Sequence, residues 1–323
     1  MRIFRRFAEL PAEEPGSAGG TAYAIGNFDG LHLGHAAVVE AARQLATACG
    51  AGFGVVTFEP HPREVLSPAT APRRLTRFRQ KAALLRAAGV ETLVVLPFEP
   101  ALMTVSAEAF IEEIVHRKLR ARAIATGENF RFGHRRQGDV ALLARSARRL
   151  GMEVTTVPPL SIDGRLCSST AIREHLAAGE IAAANRLLGR AYVLEGVVVT
   201  GDRRGRTIGF PTANLQPFGR RPLLPAQGVY AVRAGLVREG RTVWHPAVAN
   251  LGSRPTFDGR TVQLEAHLLD GAHELYGRRL ELAFVERLRP EQRFSGIDAL
   301  KAQIELDCAA ARRVHGSRPS QLP

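Results

Sequence analysis

"TAYAIGNFDGLHLGHAAVVEAARQLATAC", residues 21–49, joins a short apolar run to a glycine-rich turn and then to a segment of helical periodicity. The run 21–26 predicts a buried strand, and the segment 35–49 predicts a helix. Glycines at 26, 30 and 34 permit a tight turn and a close approach of the backbone to a ligand. A strand followed by a turn and a helix is the repeating unit of α/β folds.

The same alternation continues through the first half of the chain. Short apolar runs predict four more strands, at 53–58, 91–98, 121–126 and 152–157. Helical spacing marks 76–88, 106–119 and 138–150. Within 106–119, Ser106 is the predicted N-cap, Ala109 is at the third helical position, and the apolar stripe is Phe110, Ile111, Ile114 and Val115. Five strands with intervening helices predict a doubly wound parallel sheet, which binds its ligand beyond the carboxyl ends of the strands.

The second half has a different pattern. An alanine-rich helical stretch, 168–190, precedes strand-like runs at 192–200, 228–237, 242–252, 261–270 and 279–288. Glycine and proline separate these runs, which predicts a small antiparallel β-barrel. A helix is predicted to begin near Ser295, with an apolar stripe of Ile297, Leu300 and Ile304. We place the domain boundary so that the domains are 1–186 and 187–323.

Composition is that of a globular protein. The 323 residues are 45% hydrophobic and 23% charged, and two domains are the default for this length. No apolar run approaches the ~20 residues of a membrane helix, and the N-terminus has no secretory pattern. The three cysteines form no CxxC pair, which is typical of a reducing compartment. We therefore expect a cytoplasmic protein without a cysteine zinc site.

The formal net charge is +13, which favours a polyanionic partner. Nearly all the cationic residues are arginine, since lysine occurs only at 81, 118 and 301. The arginines are spread along the chain rather than gathered in one arm. Small phosphorylated ligands fit this distribution as well as nucleic acid does, and we expect no nucleic-acid partner.

Two histidines, His32 and His35, stand beside the predicted start of the first helix. A helix N-terminus presents free N–H groups and favours anions. Imidazoles there can donate hydrogen bonds to phosphate oxygens and stabilise charge on a reacting phosphoryl group. Two alternatives are a pair of surface histidines and a zinc site. The zinc alternative lacks an evident third ligand, and HExxH is absent.

"GNFDGLHLGH" (26–35) resembles the signature of nucleotidyltransferases, in which HxGH contacts a nucleoside triphosphate. Together with "TFEPHPREVL" (57–66), "GENFRFGHRRQGD" (127–139) and "SSTAIREHLAAGEIAAANRLLGR" (168–190), it is similar to the N-terminal, Rossmann-like module of bacterial bifunctional riboflavin kinase/FAD synthetases. The resemblance implies attack of the FMN phosphate on the α-phosphorus of ATP, with His32 and His35 as catalytic residues. The implied ATP- and FMN-binding residues are Gly26, Phe28, Asp29, Gly34, Asn129, Ser168, Ser169, Thr170 and Arg173.

Arginines 131, 135 and 136 fall in the same match. They can bind phosphate through their planar guanidinium groups, or they can simply be solvated. Likewise, "HP" at 61–62 can be part of the site or only a turn.

"GDRRGRTIGFPTANL" (201–215) carries the glycines of a second candidate site. A P-loop is excluded because GxxxxGK[ST] is absent from the sequence. A glycine-rich loop on a β scaffold can fold over phosphates, although ordinary barrel turns also use glycine. Glu265 lies on an otherwise apolar strand, where a carboxylate is costly unless it is paired or catalytic. A surface position and a partner arginine are the alternatives.

The stretches 249–257, 264–270, 274–282 and 288–307 resemble the riboflavin kinase module, a six-stranded barrel with an appended helix. The resemblance implies that the "PTAN" residues hold Mg²⁺ and ATP phosphates, with Thr212 and Asn214 as metal ligands. Their oxygens are hard donors of the kind that Mg²⁺ prefers. Glu265 is the implied base on the ribityl 5′-hydroxyl. The implied ATP- and flavin-binding residues are Gly201, Gly205, Gly209, Pro211 and Arg254.

We therefore expect riboflavin to be phosphorylated to FMN by the C-terminal domain and FMN to be adenylylated to FAD by the N-terminal domain. The expected ligands are riboflavin, FMN, FAD, ATP and Mg²⁺, and the expected state is a monomer or weak homo-oligomer. A different nucleotidyltransferase would leave Thr212, Asn214 and Glu265 unexplained. A non-enzymatic flavin- or nucleic-acid-binding protein would show salt-sensitive RNA binding without turnover.

Overall fold

The computed structural model divides the chain into two units, Met1–Ser168 and Ser169–Pro323. The structure describes residues 1–6, 9, 20–201, 208–219, 222–238, 241–256, 259–271 and 273–317.

Parallel strands dominate the first unit, where the described residues form one six-stranded sheet in the order β1-β4-β3-β2-β5-β6. Its strands are β1 (Arg2–Phe4), β2 (Thr21–Ile25), β3 (Gly52–Glu59), β4 (Thr92–Pro97), β5 (Ala121–Gly127) and β6 (Glu153–Val157). The first unit also holds a separate two-stranded antiparallel sheet, β7 (Ser161–Ile162) with β8 (Arg165–Leu166). The five predicted strands are confirmed as β2 to β6. The chain order reverses at β2, which pairs with β3 on one side and β5 on the other. The carboxyl end of β2 is therefore the expected ligand position.

Helices cover both faces of this sheet. They are α1 (Leu33–Cys49), α2 (Pro62–Leu66), α3 (Phe78–Ala87), α4 (Pro100–Met103), α5 (Ala107–Ala109, continued by a π-helical segment Phe110–Lys118) and α6 (Val140–Arg149). The Ser106 hydroxyl accepts a hydrogen bond from the Ala109 N–H at 3.1 Å, which confirms the predicted N-cap. The four stripe residues of α5 are buried against one face of the sheet. Val38, Val39 and Ala42 of α1 pack against the other face.

The second unit begins with α7 (Ser169–Ala178) and α8 (Ile181–Leu188) and continues as a β-barrel. The described strands close in the order β10-β13-β12-β11-β14-β9, with all the neighbours antiparallel. They are β9 (Tyr192–Val199), β10 (Ala213–Pro217), β11 (Gly228–Arg238), β12 (Arg241–Thr256), β13 (Gly259–Leu268) and β14 (Arg279–Arg289), followed by α9 (Ile297–Ser317). Tyr230 and Phe284 fill the interior and meet edge to face. The predicted barrel and terminal helix are confirmed.

One prediction for α9 is wrong. Ile297 is 58% exposed rather than part of a buried stripe. The packed face starts later, where Ile304, Cys308 and Ala311 meet Val229 and its neighbours on the barrel. The helix docks along its central turns, so the apolar residue at its first position is left exposed among the described residues.

Asn185 joins α8 to the barrel strands through its side-chain amide. Its Nδ2 donates to the Phe284 carbonyl at 2.9 Å, and its Oδ1 accepts from the Tyr192 N–H at 2.8 Å. Both helices of the 169–188 stretch therefore belong structurally to the second unit, while the boundary at 186/187 stays a prediction. Across the described residues, every helix is too short or too polar for a membrane span.

We predict that Asn185→Ala lowers the free energy of unfolding of the second unit by about 2–4 kcal/mol, because two backbone groups lose their partner. Asn185→Asp should also be destabilising, because the carboxylate still accepts from the Tyr192 N–H but places an oxygen against the Phe284 carbonyl. Trp244 is the single tryptophan of the sequence and lies on β12, so urea unfolding followed by its fluorescence reports this unit. Equal midpoints for Asn185→Ala and the unmodified protein would contradict the prediction.

Candidate active sites

The turn after β2 has a strained backbone. Phe28 and Leu31 have φ angles of 50° and 37°, and Gly30 has a φ of 86°. Such angles cost non-glycine residues roughly 1–3 kcal/mol each, so the surroundings must hold them. The buried Asp29 carboxylate accepts from the N–H groups of Leu75 and Thr76, at 3.1 and 3.0 Å from Oδ1. Asp29 therefore anchors the turn to the neighbouring segment.

His32 is the N-cap of α1, and its Nδ1 accepts from the His35 N–H at 3.3 Å. The two imidazole rings stack with their centroids 3.6 Å apart, and His32 is only 5% exposed. Phe28 meets His35 edge-on at 5.4 Å. A Cβ on Gly34 would lie 3.2 Å from the His32 ring, so glycine permits this approach. The alternative of two surface histidines is wrong for His32, whose ring is buried at the helix start.

Cys167 was not predicted as a site residue, yet its Sγ lies 3.5 Å from His32 Nδ1. Burial raises the pKa of this thiol, although hydrogen bonds from the Gly34 and Leu33 N–H groups oppose the shift. The neutral thiol thus packs against the first turn of α1. No sequence pattern could reveal this contact, because 135 positions separate the two side chains.

Beneath the turn lies a buried ammonium group, that of Lys81. The residue is 0% exposed, and its Nζ donates to the Asn27 carbonyl at 2.9 Å, to Thr57 Oγ1 at 3.3 Å and to Glu59 Oε1 at 3.1 Å. Burial lowers the pKa of Lys81, and the negative charge of Glu59 opposes that shift. Lys81 therefore ties the start of the turn to β3. The sequence offered one signal for the importance of Lys81, which is that lysine occurs at only three positions.

Glu59 extends this charged group to Arg74, which donates to its carboxylate at 3.0 and 2.9 Å. Arg74 also donates to Glu64 of α2 at 2.5 Å. Burial alone would raise the pKa of Glu59, but the hydrogen bonds and charges of Arg74 and Lys81 outweigh burial and lower it. The carboxylate thus stays ionised at the end of β3, next to the turn.

His61 caps the short helix α2, because its Nδ1 accepts from the Arg63 N–H at 3.2 Å. Burial is the largest cause that lowers its pKa from the ordinary 6.5 to about 4, and the charge of Arg74 adds to the effect. His61 is therefore a neutral capping residue at pH 7.

The remaining residues predicted for this site lie on other segments. Asn129 is exposed after β5, and Arg131 pairs with Asp139 at 3.3 Å. Arg135 and Arg136 are exposed, with φ angles of 50° and 60°. Ser168 ends the first unit, whereas Ser169, Thr170 and Arg173 lie on α7 in the second.

In the barrel, the predicted metal ligand Asn214 and the predicted base Glu265 are register partners on β10 and β13. Directly opposed residues of antiparallel strands have Cβ atoms ~4.5–5.5 Å apart on the same face. On its other side Glu265 is opposite Asn250 of β12. The strand pairing therefore gathers two amides and a carboxylate in one partly buried row.

Gly201 lies against the Asn214 side chain. A Cβ at position 201 would overlap the Asn214 amide nitrogen and come within 2.8 Å of Oδ1. His267 Nδ1 lies 2.8 Å from the Pro211 carbonyl, which fixes the other end of the "PTAN" segment. Gly209 has a φ of 90°, which favours glycine. Gly205 and the side chain of Arg254 lie outside the described residues.

A cavity of about 440 Å³ opens in the barrel, with Pro211 and Thr212 in its lining. Ala213 and Ala266, the strand neighbours of Asn214 and Glu265, also line it. Side chains alternate between the faces of a strand, so Asn214 and Glu265 point away from this cavity. The structure thus pairs Asn214 with Glu265 but places Thr212 at the cavity.

Comparison with known proteins matches the two halves of the chain to two families. A family model for FAD synthetase matches residues 14–171, and one for riboflavin kinase matches residues 188–315. The chain is 41% identical to the bifunctional riboflavin kinase/FMN adenylyltransferase of Escherichia coli (strain K12), over 98% of this chain and 97% of that protein. It is 42% identical to the corresponding protein of Pseudomonas fluorescens, with 97% of each covered.

A crystal structure from Streptococcus pneumoniae, described as a macrolide-efflux protein, shares the fold with a TM-score of 0.83 and 27% identity. The match covers 96% of this chain and 98% of the Streptococcus pneumoniae chain. The N-terminal half of the chain is therefore a FAD synthetase domain, and the C-terminal half is a riboflavin kinase domain. The chain belongs to the family of bifunctional riboflavin kinase/FMN adenylyltransferases.

We predict that His61 remains neutral down to about pH 5 and titrates near its pKa of about 4. Because this pKa is lower than in the unfolded chain, the stabilisation is full above about pH 6.5 and is lost as the pH falls towards 4. NMR titration of histidine ring carbons measures the pKa. His61→Asn identifies the resonance and retains a capping acceptor, so it should also flatten the acid loss of stability. Titration of His61 at its ordinary value would contradict the prediction.

We predict that Gly201→Ala displaces the Asn214 amide and lowers FMN formation ~100-fold, since a misplacement of about 1 Å can cost that much. FAD formation from added FMN should stay unchanged. Gly296→Ala is the control, because a Cβ at Gly296 meets nothing within 4 Å. Both rates are measured by flavin chromatography. Normal kinase activity of Gly201→Ala would show that the position of Asn214 is unimportant.

Proposed function

We propose that this chain makes FAD from riboflavin in two reactions. Riboflavin and ATP give FMN and ADP in the C-terminal domain, and FMN and ATP give FAD and pyrophosphate in the N-terminal domain. The observation that carries the proposal is that one chain holds both a stacked histidine pair at a helix N-terminus and a carboxylate–amide pair on a barrel. We assign residues 1–186 to the first domain and 187–323 to the second.

In the adenylylation reaction, an oxygen of the FMN phosphate attacks the α-phosphorus of ATP, and pyrophosphate leaves. The imidazoles of His32 and His35, with the N-terminus of α1, stabilise the negative charge that develops on the phosphoryl group. The protein forms no covalent intermediate, because positioning and charge stabilisation suffice for an in-line transfer.

The strained turn after β2 orients these groups for the nucleotide. Asp29 and Lys81 act from behind the turn and hold its backbone. Buried Asn27 Oδ1 has no hydrogen-bond partner among the described residues. The other nucleotide-binding residues follow from the family resemblance: Gly26, Phe28, Gly34, Asn129, Ser168, Ser169, Thr170 and Arg173.

In the kinase reaction, Glu265 accepts the proton of the ribityl 5′-hydroxyl as that oxygen attacks the γ-phosphorus of ATP. Asn214, opposite Glu265, would hold Mg²⁺ through its amide oxygen, and Thr212, which lies at the cavity, is assigned as the second ligand on the family resemblance alone. Mg²⁺ would neutralise charge on the transferring phosphate. Gly201, Gly205, Gly209, Pro211 and Arg254 complete the assigned binding residues. We further propose a cytoplasmic monomer or weak homo-oligomer that binds small molecules and no nucleic acid.

The first test is incubation of the pure protein with riboflavin, ATP and Mg²⁺, followed by chromatography of the flavins over time. FMN should appear first and FAD should follow. FMN without FAD would refute adenylylation by the N-terminal domain. An absence of any conversion would refute both activities and favour a binding protein.

We predict reciprocal losses in two variants. Glu265→Gln should slow FMN formation by about 10²–10⁴-fold, the usual contribution of a general base, and leave FAD formation from FMN near normal. His32→Asn should slow only FAD formation, by about 10²–10³-fold. Asn still offers a cap acceptor for α1, so loss of the helix start is controlled. If either folded variant lost both activities, independent sites would be excluded.

A further inference from the structure

Three side chains to which neither proposed reaction assigns a role form a compact cluster in the second unit. His245 lies on β12, while Asp270 and His273 follow β13. His245 Nδ1 is 2.6 Å from Asp270 Oδ2, and His273 Nε2 is 3.4 Å from Asp270 Oδ1. Each residue offers one ligand atom, and all of these atoms lie within 4.8 Å of one another.

Two imidazole nitrogens and one carboxylate oxygen are a donor set for zinc and related transition metals. Mg²⁺ prefers oxygen donors alone, so this cluster is chemically distinct from Thr212 and Asn214. Zn–N and Zn–O bonds of ~2.0–2.2 Å place tetrahedral ligand atoms roughly 3.4 Å apart. The ligand atoms of the cluster are separated by distances on both sides of that value, from 2.6 Å between His245 Nδ1 and Asp270 Oδ2 up to at most 4.8 Å. Small side-chain rotations would therefore seat the ion, with a fourth position left for water.

The cluster connects a strand to the wall of the barrel cavity. His245 is paired with Ala234 in the β11–β12 ladder, which fixes its backbone. His273 lines the 440 Å³ cavity, and Glu274, Leu275 and Tyr276 continue the same wall. A metal ion bound to both histidines would cross-link this wall to β12.

We propose that His245, Asp270 and His273 form a binding site for a divalent transition metal, typified by Zn²⁺, which ties cavity-wall residues 273–276 to β12. A metal-free hydrogen-bonded cluster is the competing explanation. His175 and Glu180 illustrate it, because they form a pair of the same 2.6 Å length outside this cluster.

The test is calorimetric titration of the tag-free, full-length protein with Zn²⁺, in a non-chelating buffer with Mg²⁺ in excess. One Zn²⁺ per chain should bind. His273→Gln and His245→Gln should each weaken binding ~100-fold or more, since even indirect partners of a metal ligand contribute 10–100-fold. His175→Gln is the matched control and should bind as the unmodified protein does. Undetectable binding, or equal binding by His273→Gln, would overturn the proposal.

A second measurement covers the case in which a histidine variant fails to fold. Asp270→Asn keeps the size of the side chain but removes its charge, and Trp244 fluorescence reports whether the barrel remains folded. Hydrogen exchange should show Zn²⁺-dependent protection of a peptide containing 273–276 in the unmodified protein, and little in folded Asp270→Asn. Peptides of the first unit are the internal reference. Unchanged exchange at 273–276 on Zn²⁺ binding would refute the cross-link.

Discussion

The proposed adenylylation site depends on one buried charge, the ammonium group of Lys81. It lies where the turn after β2 meets β3, and it donates to the backbone of Asn27 as well as to Glu59. A lone buried cation is prohibitively costly, so the partners must remain in place. The ion pair of Lys81 and Glu59 therefore fixes the geometry of the turn without contacting a substrate. The histidine pair and the start of α1 follow directly from that turn.

The proposed kinase site has a different basis, which is strand register. Glu265 meets Asn214 only because β13 pairs with β10 in one alignment, and a slip of one residue would turn it to the opposite face. The closed order of the described strands enforces that alignment, since each strand is held on both sides. Barrel closure thus positions Glu265 and Asn214, whereas the ion pair of Lys81 positions the turn after β2.

Periodicity predicted most of the fold, because strands β2 to β6 and the helices between them bury regular stripes. Capping is equally local, so Ser106 was predictable from its neighbours. β10 was missed because "ANLQP" is only five residues long, lacks β-branched and aromatic residues and ends in proline, so its pairing with two partner strands is what identifies it. Likewise, motif spacing indicated His32 and Glu265, whereas Lys81 and Cys167 act through contacts that only the folded chain creates.

The missed strand β1 has a consequence for solubility. It is three residues long and pairs with β4, so the backbone of β4 is covered on the side away from β3. An uncovered hydrophobic strand such as β4 would be a template for pairing with another chain. The short strand Arg2–Phe4 offers few hydrogen bonds to a strand of another chain, and its exposed Arg2 adds a positive charge at this edge. Loss of these first residues would thus endanger colloidal stability before it affected either reaction.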